Sequence, residues 1–584
     1  MIKKNYSKLQ KEDLLKVIEK LESRKKYGLI WDEEKTKEQF EKESKNALPV
    51  LKEVKGKEIK TDPTNPTNIL IEGDNYHALS VLNYTHQSKI DVIYIDPPYN
   101  TGNKDFKYND DYVDKEDAYR HSKWLSFMSK RLRLSKSLLQ DDGVIFISIG
   151  EDETAQLKLL CNEIFGERNY ITNFIWEKTQ HFGRQKVNFY SNADYILCYA
   201  KQLNNSGLKE LLVEKIKEEH EDAPLYNASN PVNTLTIPAK KVIFNIADGE
   251  YSRTTDEKYK LIQKVVVKNG KNKNELVLQF KSRWSQRNVE KELQKGTTFW
   301  VKSENFAIRA IYGSGKTSNE SPKQIIFTNV NNEFVAKSRF GQKVGVNEEA
   351  SNELFNMIGE QNIFEYPKPR TLVEYLVSLL FDHYENTYQK GITVLDYFAG
   401  SGSTGHAILN LNKNDNGKRV FILCTNNEEK ICSDICYPRV QKAIKGYKTP
   451  KNEKIDGLGG NLKYYKTAFI KNSISRDDLK IRITRECTEM LCLREGIFEE
   501  KKAKDDYHIF EQNGKVMAIY YALERDGLEQ LKKEMDKIKG EKILYCFTLD
   551  PLGLNKNDFV DWQGINLEPI PQKILDIYEQ IYEY

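Results

Sequence analysis

The chain has 584 residues, too many for one hydrophobic core, and a chain of this length implies roughly three or four domains. Hydrophobic residues make up 39% and charged residues 30%, a balance that suits a soluble fold, and no apolar run is long enough to cross a bilayer. The net charge of +4 leaves 90 basic residues nearly cancelled by 86 acidic ones, so overall charge neither demands nor excludes a polyanionic partner.

The opening residues, Met1-Ile-Lys-Lys-Asn-Tyr, lead into charged sequence and not into an apolar signal core. The eight cysteines are scattered through presumed strands and helices, as reduced thiols would be, and a cytoplasmic location is expected. Residues 9–54 carry a helical rhythm in which Leu14, Leu15, Ile18 and Leu21 recur at helical spacing, predicting an amphipathic arm over residues 1–60. The TDPTNPT stretch at 61–67 is a proline-punctuated connector.

From there strands alternate with helices: a short strand at 68–71, a buried one at 89–95 (KIDVIYI), a helix at 122–139, a strand at 144–149, a helix at 152–165 and a strand at 195–199. This rhythm predicts a parallel α/β sheet whose ligands sit at the carboxyl ends of the strands. It fades after residue 200. Residues 201–360 read as an inserted α+β domain, and the stretch 258–343 is basic, with Arg283, Arg287, Arg309 and Arg339 among Trp284, Phe299 and Trp300. Such interleaving suits a polyphosphate surface, and equally a solvated lysine-rich face.

The α/β signature returns over residues 361–466, with a strand at 393–397, a glycine-rich turn, a helix from Thr404 and a strand at 419–425. One doubly wound domain is thus expected in two segments, 61–200 and 361–466, followed by a small α/β domain over 467–584.

Asp96-Pro97-Pro98-Tyr99-Asn100 follows the buried strand directly. Two prolines forbid a continued ladder or helix, so the segment is a stiff loop presenting a carboxylate, backbone carbonyls and a ring. An exocyclic amine on a base is a poor nucleophile because its lone pair is delocalised. Two acceptors on its hydrogens, the Asp96 carboxylate and the Pro97 carbonyl, would localise that pair, while Tyr99 stacks on a base turned out of its duplex.

The second string, Asp396-Tyr397-Phe398-Ala399-Gly400-Ser401-Gly402-Ser403-Thr404, lies between a strand and a helix. Glycines there let a ligand approach the backbone, and a helix amino end favours a carboxylate. The turn lacks the third glycine of a dinucleotide fingerprint. Glu428 stands after the next strand, where ribose hydroxyls are commonly held.

Together these strings resemble the β-group of amino-methyltransferases, in which a catalytic DPPY loop precedes an FxGxG cofactor loop. The stretches HSKWLSFMSKRL at 121–132, DDGVIFISI at 141–149 and FEYPKPRTL at 364–372 are similar to the modification subunits of type III restriction-modification systems. The resemblance implies S-adenosylmethionine as cofactor and adenine N6 in duplex DNA as target, with cytosine N4 as the alternative product. It implies Asp74 and Asn75 of the GDN segment near the cofactor adenine, Lys368 and Pro369 beside its methionine end, Asp396 on its amino group and Phe398 as a pocket wall. Ala399, Gly400, Ser401, Gly402 and Thr404 would line the same turn. It also implies a homodimer, target recognition by residues 201–360, and a separate restriction subunit as partner.

Other strings carry less. Gly313-Ser-Gly-Lys-Thr317 lacks the first glycine of a phosphate-binding loop, since Ala310 stands there, and reads as a lysine loop beside phosphate. Cys432, Cys436, Cys487 and Cys492 have spacings that fit buried thiols better than zinc, so no metal is expected. His121 and His406 lack an obvious nucleophile or metal partner. Two rival readings of another class remain: a catalytically silent DNA-recognition subunit, against which the intact Asp96 and Tyr99 argue, and an ATP-driven motor, for which no paired motifs stand out.

Overall fold

The computed structural model describes Trp31, Glu38 and residues 47–582, apart from 104, 109–110, 182–189, 204–209, 212, 217–221, 313–316, 333, 339, 383–386, 389–390 and 472–474. Most of the expected N-terminal arm, Gly313 to Lys316 and Arg339 therefore lie outside the described residues. The chain divides into two compact units, Met1–Leu211 with Lys323–Tyr584, and Leu212–Pro322.

The first unit is organised by a ten-stranded sheet. In chain order its strands are β1 (Ala47–Glu53), β2 (Thr67–Glu72), β3 (Ile90–Ile95), β4 (Leu139–Ile149), β5 (Tyr170–Glu177), β6 (Ala193–Ala200), β7 (Ile325–Ile326), β8 (Thr393–Asp396), β9 (Val420–Thr425) and β10 (Asn461–Lys471). Across the sheet the order is β1-β10-β2-β9-β8-β3-β4-β6-β5-β7. Strands β8 and β9, from the second segment, thus lie between β2 and β3 of the first. From β10 to β4 every neighbouring pair is parallel.

Both faces of this parallel core are covered, which is why β3 is an unbroken buried run. One set of alternating residues, including Ile69, Ile93, Ile95, Ile147 and Ile422, packs with residues of helices α1 (Asn75–Thr85), α2 (Arg120–Leu138) and α3 (Glu151–Cys161). The alternate set faces the other way. There Leu423 and Phe421 approach Gly405 of helix α6 (Ser403–Asp415), which packs beside α5 (Arg370–Ser378), while α7 (Tyr437–Lys445) packs beside both α6 and α4 (Asn347–Ile358).

Two expectations need correction. The sheet is mixed, because β6 runs antiparallel to both β4 and β5. After α3 the chain leaves one strand position vacant beside β4, and β6 turns back to fill it, a return that needs no crossover helix. The stretch 47–53, read as the end of a helical arm, is the edge strand β1, antiparallel to β10. Its Leu48, Val50 and Leu51 are buried, and Pro49 is tolerated because an edge strand has a side with no ladder to complete.

The last segment forms a five-stranded sheet, Glu500–Ala503, Tyr507–Gln512, Lys515–Tyr520, Glu541–Phe547 and Ile565–Ile570 in that order. Ile483, Cys487, Leu491, Phe510 and Met517 join one hydrophobic core with Leu79, Leu82 and Tyr465, so this segment packs onto the long sheet. The second unit is largely antiparallel, with a seven-stranded and a three-stranded sheet, the helix Gln286–Gln294 and its own core around Leu235, Val265, Leu278 and Phe299. Phe299 is fully buried there, while Arg283 and Arg287 are exposed; this ring belongs to the core and is not available for stacking on a partner. All eight cysteines are buried and free, and among the described residues no group of His, Cys, Asp and Glu is arranged to hold a metal ion.

Candidate active site

Strands β3 and β8 are parallel neighbours, Val92 opposite Val394, so their carboxyl ends deliver Asp96 and Asp396 to one rim of the sheet. Asp96 opens the proline loop. Its Oδ2 accepts from Lys368 Nζ at 3.0 Å, while its Oδ1 is buried with no hydrogen-bond partner. Burial raises this carboxyl above the usual carboxylate range, and the Lys368 ammonium opposes the rise. The result is a strong acceptor with one oxygen idle.

The loop is gripped from several sides. Trp124 Nε1 donates to the Pro98 carbonyl at 2.8 Å. Asn100, buried and in the left-handed region at φ 57, donates through Nδ2 to Glu153 Oε1 at 2.5 Å, and that oxygen also lies 2.6 Å from His121 Nδ1. His121 thus helps hold the loop from behind. The Tyr99 hydroxyl donates to Asp194 Oδ2 at 3.1 Å, and Lys368 Nζ lies 5.0 Å from the Tyr99 ring centre. Burial, with Asp96 and Asp194 beside it, pushes the Tyr99 phenol well up, so it stays a neutral donor.

Lys368 ties this loop to the glycine turn, because its carbonyl accepts from Ser403 Oγ at 2.7 Å. In the turn, Asp396 Oδ1 accepts from the Phe398 amide at 3.0 Å and Oδ2 from Thr404 Oγ1 at 2.5 Å. Burial, with Asp96 nearby, pushes the Asp396 carboxyl up to about 7. Gly400 and Gly402 sit at φ 47 and φ 81; a Cβ on Gly400 would lie 3.0 Å from Phe364, and one on Gly402 would lie 3.1 Å from Cys436 Sγ. Both positions combine a left-handed backbone with no room for a side chain, a requirement that glycine meets. Pro369 is buried at the amino end of α5, and Ala399 and Ser401 are buried beneath the turn.

A third piece comes from the end of β2. Asp74 caps α1, accepting from the Tyr76 amide at 2.7 Å, and Asn75 Nδ2 donates to the Tyr397 carbonyl at 3.0 Å. Arg131, buried, donates to Asn75 Oδ1 at 2.5 Å and to Asp74 Oδ2 at 3.3 Å. Its guanidinium lies 3.7 Å from the Phe127 ring centre, and Phe127 contacts Phe398 with centroids 5.8 Å apart. Glu428 differs from the rest: it is half-exposed after β9 and pairs with Lys107 Nζ at 3.1 Å.

Residues 272 positions apart, Asp96 and Lys368, thus meet at one point, and Asp74, Asn75, Phe398 and Asp396 stand around the same strand ends. Sequence reasoning overlooked Arg131, Glu153 and Asp194; only Arg131 and Glu153 lie in or beside the stretches 121–132 and 141–149.

A profile of DNA methylases matches residues 90–435, which includes the proline loop, Lys368 and the glycine turn. The chain belongs to the DNA methylase family. This methylase is 31% identical over 383 residues to the StyLTI Mod subunit of a type III restriction-modification enzyme from Salmonella typhimurium, a match covering 62% of the chain and 52% of that relative. It is 30% identical over 404 residues to the EcoPI Mod subunit from Escherichia phage P1, covering 63% and 58% respectively. It is 28% identical over 378 residues to the type II methyltransferase M.KpnI of Klebsiella pneumoniae, covering 62% and 82%. The chain spans little more than half the length of the two Mod relatives.

Proposed function

We propose that this methylase transfers a methyl group from S-adenosylmethionine to N6 of adenine in duplex DNA, as the modification subunit of a type III restriction-modification system. The observation that carries the reading is the idle, buried Asp96 Oδ1 on a loop joined through Lys368 to the glycine turn. A buried acceptor without a donor is costly, and an amine hydrogen is what it lacks. The names of the relatives support the reading.

The residues present fit the cofactor. Asp396 would hold its amino group, Gly400 and Gly402 with Ala399, Ser401 and Thr404 its methionine portion beside Lys368 and Pro369, and Asp74 and Asn75 its adenine next to the Phe398 wall. Glu428 is assigned the ribose hydroxyls, leaving Lys107 to do so. When bound, the cofactor supplies an electrophilic methyl on a good leaving group, so the protein mainly positions. Asp96 Oδ1 and the Pro97 carbonyl accept the two amine hydrogens, Pro98 stiffens the loop, and Tyr99 stacks the extruded base. The insert expected over residues 201–360, whose compact unit is Leu212–Pro322, reads the DNA sequence, the chain works as a cytoplasmic homodimer, and residues 467–584 serve dimer formation or a separate restriction subunit.

The test is product analysis. Plasmid DNA treated with the protein and S-adenosylmethionine is hydrolysed to nucleosides and read by mass spectrometry. N6-methyladenine is expected; N4-methylcytosine alone, or no methylated base, overturns the reading.

Asp396 gives a pH prediction. Its carboxyl, at about 7 without cofactor, must be ionised to hold a cationic amino group. Cofactor affinity then falls as pH drops through that value, roughly tenfold between pH 8 and pH 6. Calorimetry across this range should show the slope, and Asp396→Asn should flatten it while weakening binding throughout.

A further inference from the structure

Tyr99 is held by more than its own loop. Its hydroxyl donates to Asp194 Oδ2 at 3.1 Å, while Lys178 Nζ donates to Asp194 Oδ1 at 2.8 Å. Asp194 is only 2% exposed. A carboxylate this deep is expensive unless paired, and an apolar pair of equal volume would stabilise the fold as well. What the ionic pair adds is an acceptor aimed at the phenol.

Topology explains why these two residues reach the rim. The carboxyl ends of parallel strands face the site, so an amino-terminal strand residue can do so only on an antiparallel strand. Strand β6 is that strand, and Asp194 is its second residue. Lys178 directly follows β5, where its amide donates to the Asn192 carbonyl at 2.9 Å. The register pairs Ile149 with Tyr195, which puts Gly150 across from Asp194. A Cβ on Gly150 would lie 2.8 Å from Tyr99 Cδ2, so the ring packs directly on that backbone. The hydroxyl end and one flank are fixed, and the Lys368 ammonium, paired with Asp96, stands 5.0 Å from the ring centre.

We propose that Asp194, held by Lys178, is a positioning residue that fixes the Tyr99 ring in its stacking plane before the target base arrives. The proposal rests on the base-extruding methyltransferase reading above. Preorganisation of this kind raises the rate of the chemical step without changing cofactor affinity.

The test uses the full chain with radiolabelled S-adenosylmethionine and plasmid DNA. Wild type, Asp194→Asn, Tyr99→Phe and the double variant are compared for kcat and KM, for cofactor affinity by calorimetry, and for folding by thermal melts. Asp194→Asn is expected to lower kcat about tenfold at unchanged cofactor affinity, and to add nothing once Tyr99→Phe has removed the hydroxyl. Losses that multiply, a wild-type kcat, or a parallel loss of cofactor affinity would each overturn the proposal. If Asp194→Asn does not fold, the neutral pair Lys178→Gln/Asp194→Asn is measured by the same criteria; unfolding of both assigns Asp194 to the fold alone and overturns the proposal. A wild-type protein that transfers no methyl to DNA is a different outcome, because it removes the functional reading itself.

Discussion

Asp96→Ala is expected to lower the single-turnover rate of methyl transfer by about a thousandfold, near 4 kcal/mol of lost transition-state stabilisation, with cofactor affinity close to wild type. The size follows from what the loop offers. Of the two acceptors proposed for the amine, the carboxylate is the stronger, and its Oδ1 makes no hydrogen bond while buried. Burial already holds this carboxyl above the ordinary range, which makes it a better proton acceptor when ionised. It also predicts that the rate falls with acidification at a higher pH than a free aspartate would give. Removing the carboxylate leaves the Lys368 ammonium, 7% exposed, without its partner, so a modest loss of stability should accompany the loss of rate. A residual rate within tenfold of wild type would falsify the role given to Asp96.

The parts legible in the sequence are those in which chemistry is local. Asp96 to Asn100 and Asp396 to Thr404 are continuous strings at strand ends, where prolines and glycines dictate backbone shape before any packing is known. The division of one sheet into two segments was equally visible, because buried parallel strands such as β3 are largely apolar, with Asp91 its one charged residue. What stayed hidden depends on partners far away in the chain. Lys178 and Asp194 are ordinary charged residues until the antiparallel return of β6 carries them to the rim, and β5 hides because only Phe174 and Trp176 of its eight residues are fully buried. Strand β10 carries three lysines, its last residue among them, and Lys463 is buried only because Glu53 and Glu58 meet it at 2.5 and 2.8 Å. Glu428 follows its strand, yet its ion pair with Lys107, from a short strand 321 residues earlier, has no local signal.

Arg439→Met is expected to destabilise the fold by about 3 kcal/mol, the low end for breaking a buried ion pair, and to weaken cofactor binding while leaving kcat at saturating cofactor nearly intact. The guanidinium is fully buried and donates to Glu353 Oε2 and Ser403 Oγ, each at 2.8 Å, and to Ser401 Oγ at 3.1 Å. It therefore joins the glycine turn to α4, and losing it frees the turn serines as well as one face of Glu353. The cost stays at the low end because Arg370 still contacts Glu353 at 2.5 Å. Burial alone would raise the Glu353 carboxyl, but the His406 ring and the cations of Arg439 and Arg370 more than offset this and hold it at about 2. A depressed carboxyl stabilises the fold above its unfolded value near 4.5, and that contribution disappears as pH falls toward 2. The difference between wild type and Arg439→Met should accordingly be greatest near neutral pH and shrink below about pH 4.5. Denaturant unfolding at several pH values checks this, and the pair Arg439→Met/Glu353→Gln should recover part of the loss, because it removes the carboxylate left short of a cation while Arg370 keeps its pairing with Glu374. A difference that is constant with pH, or a double variant weaker than the single one, would show that Arg439 acts through packing and not through Glu353.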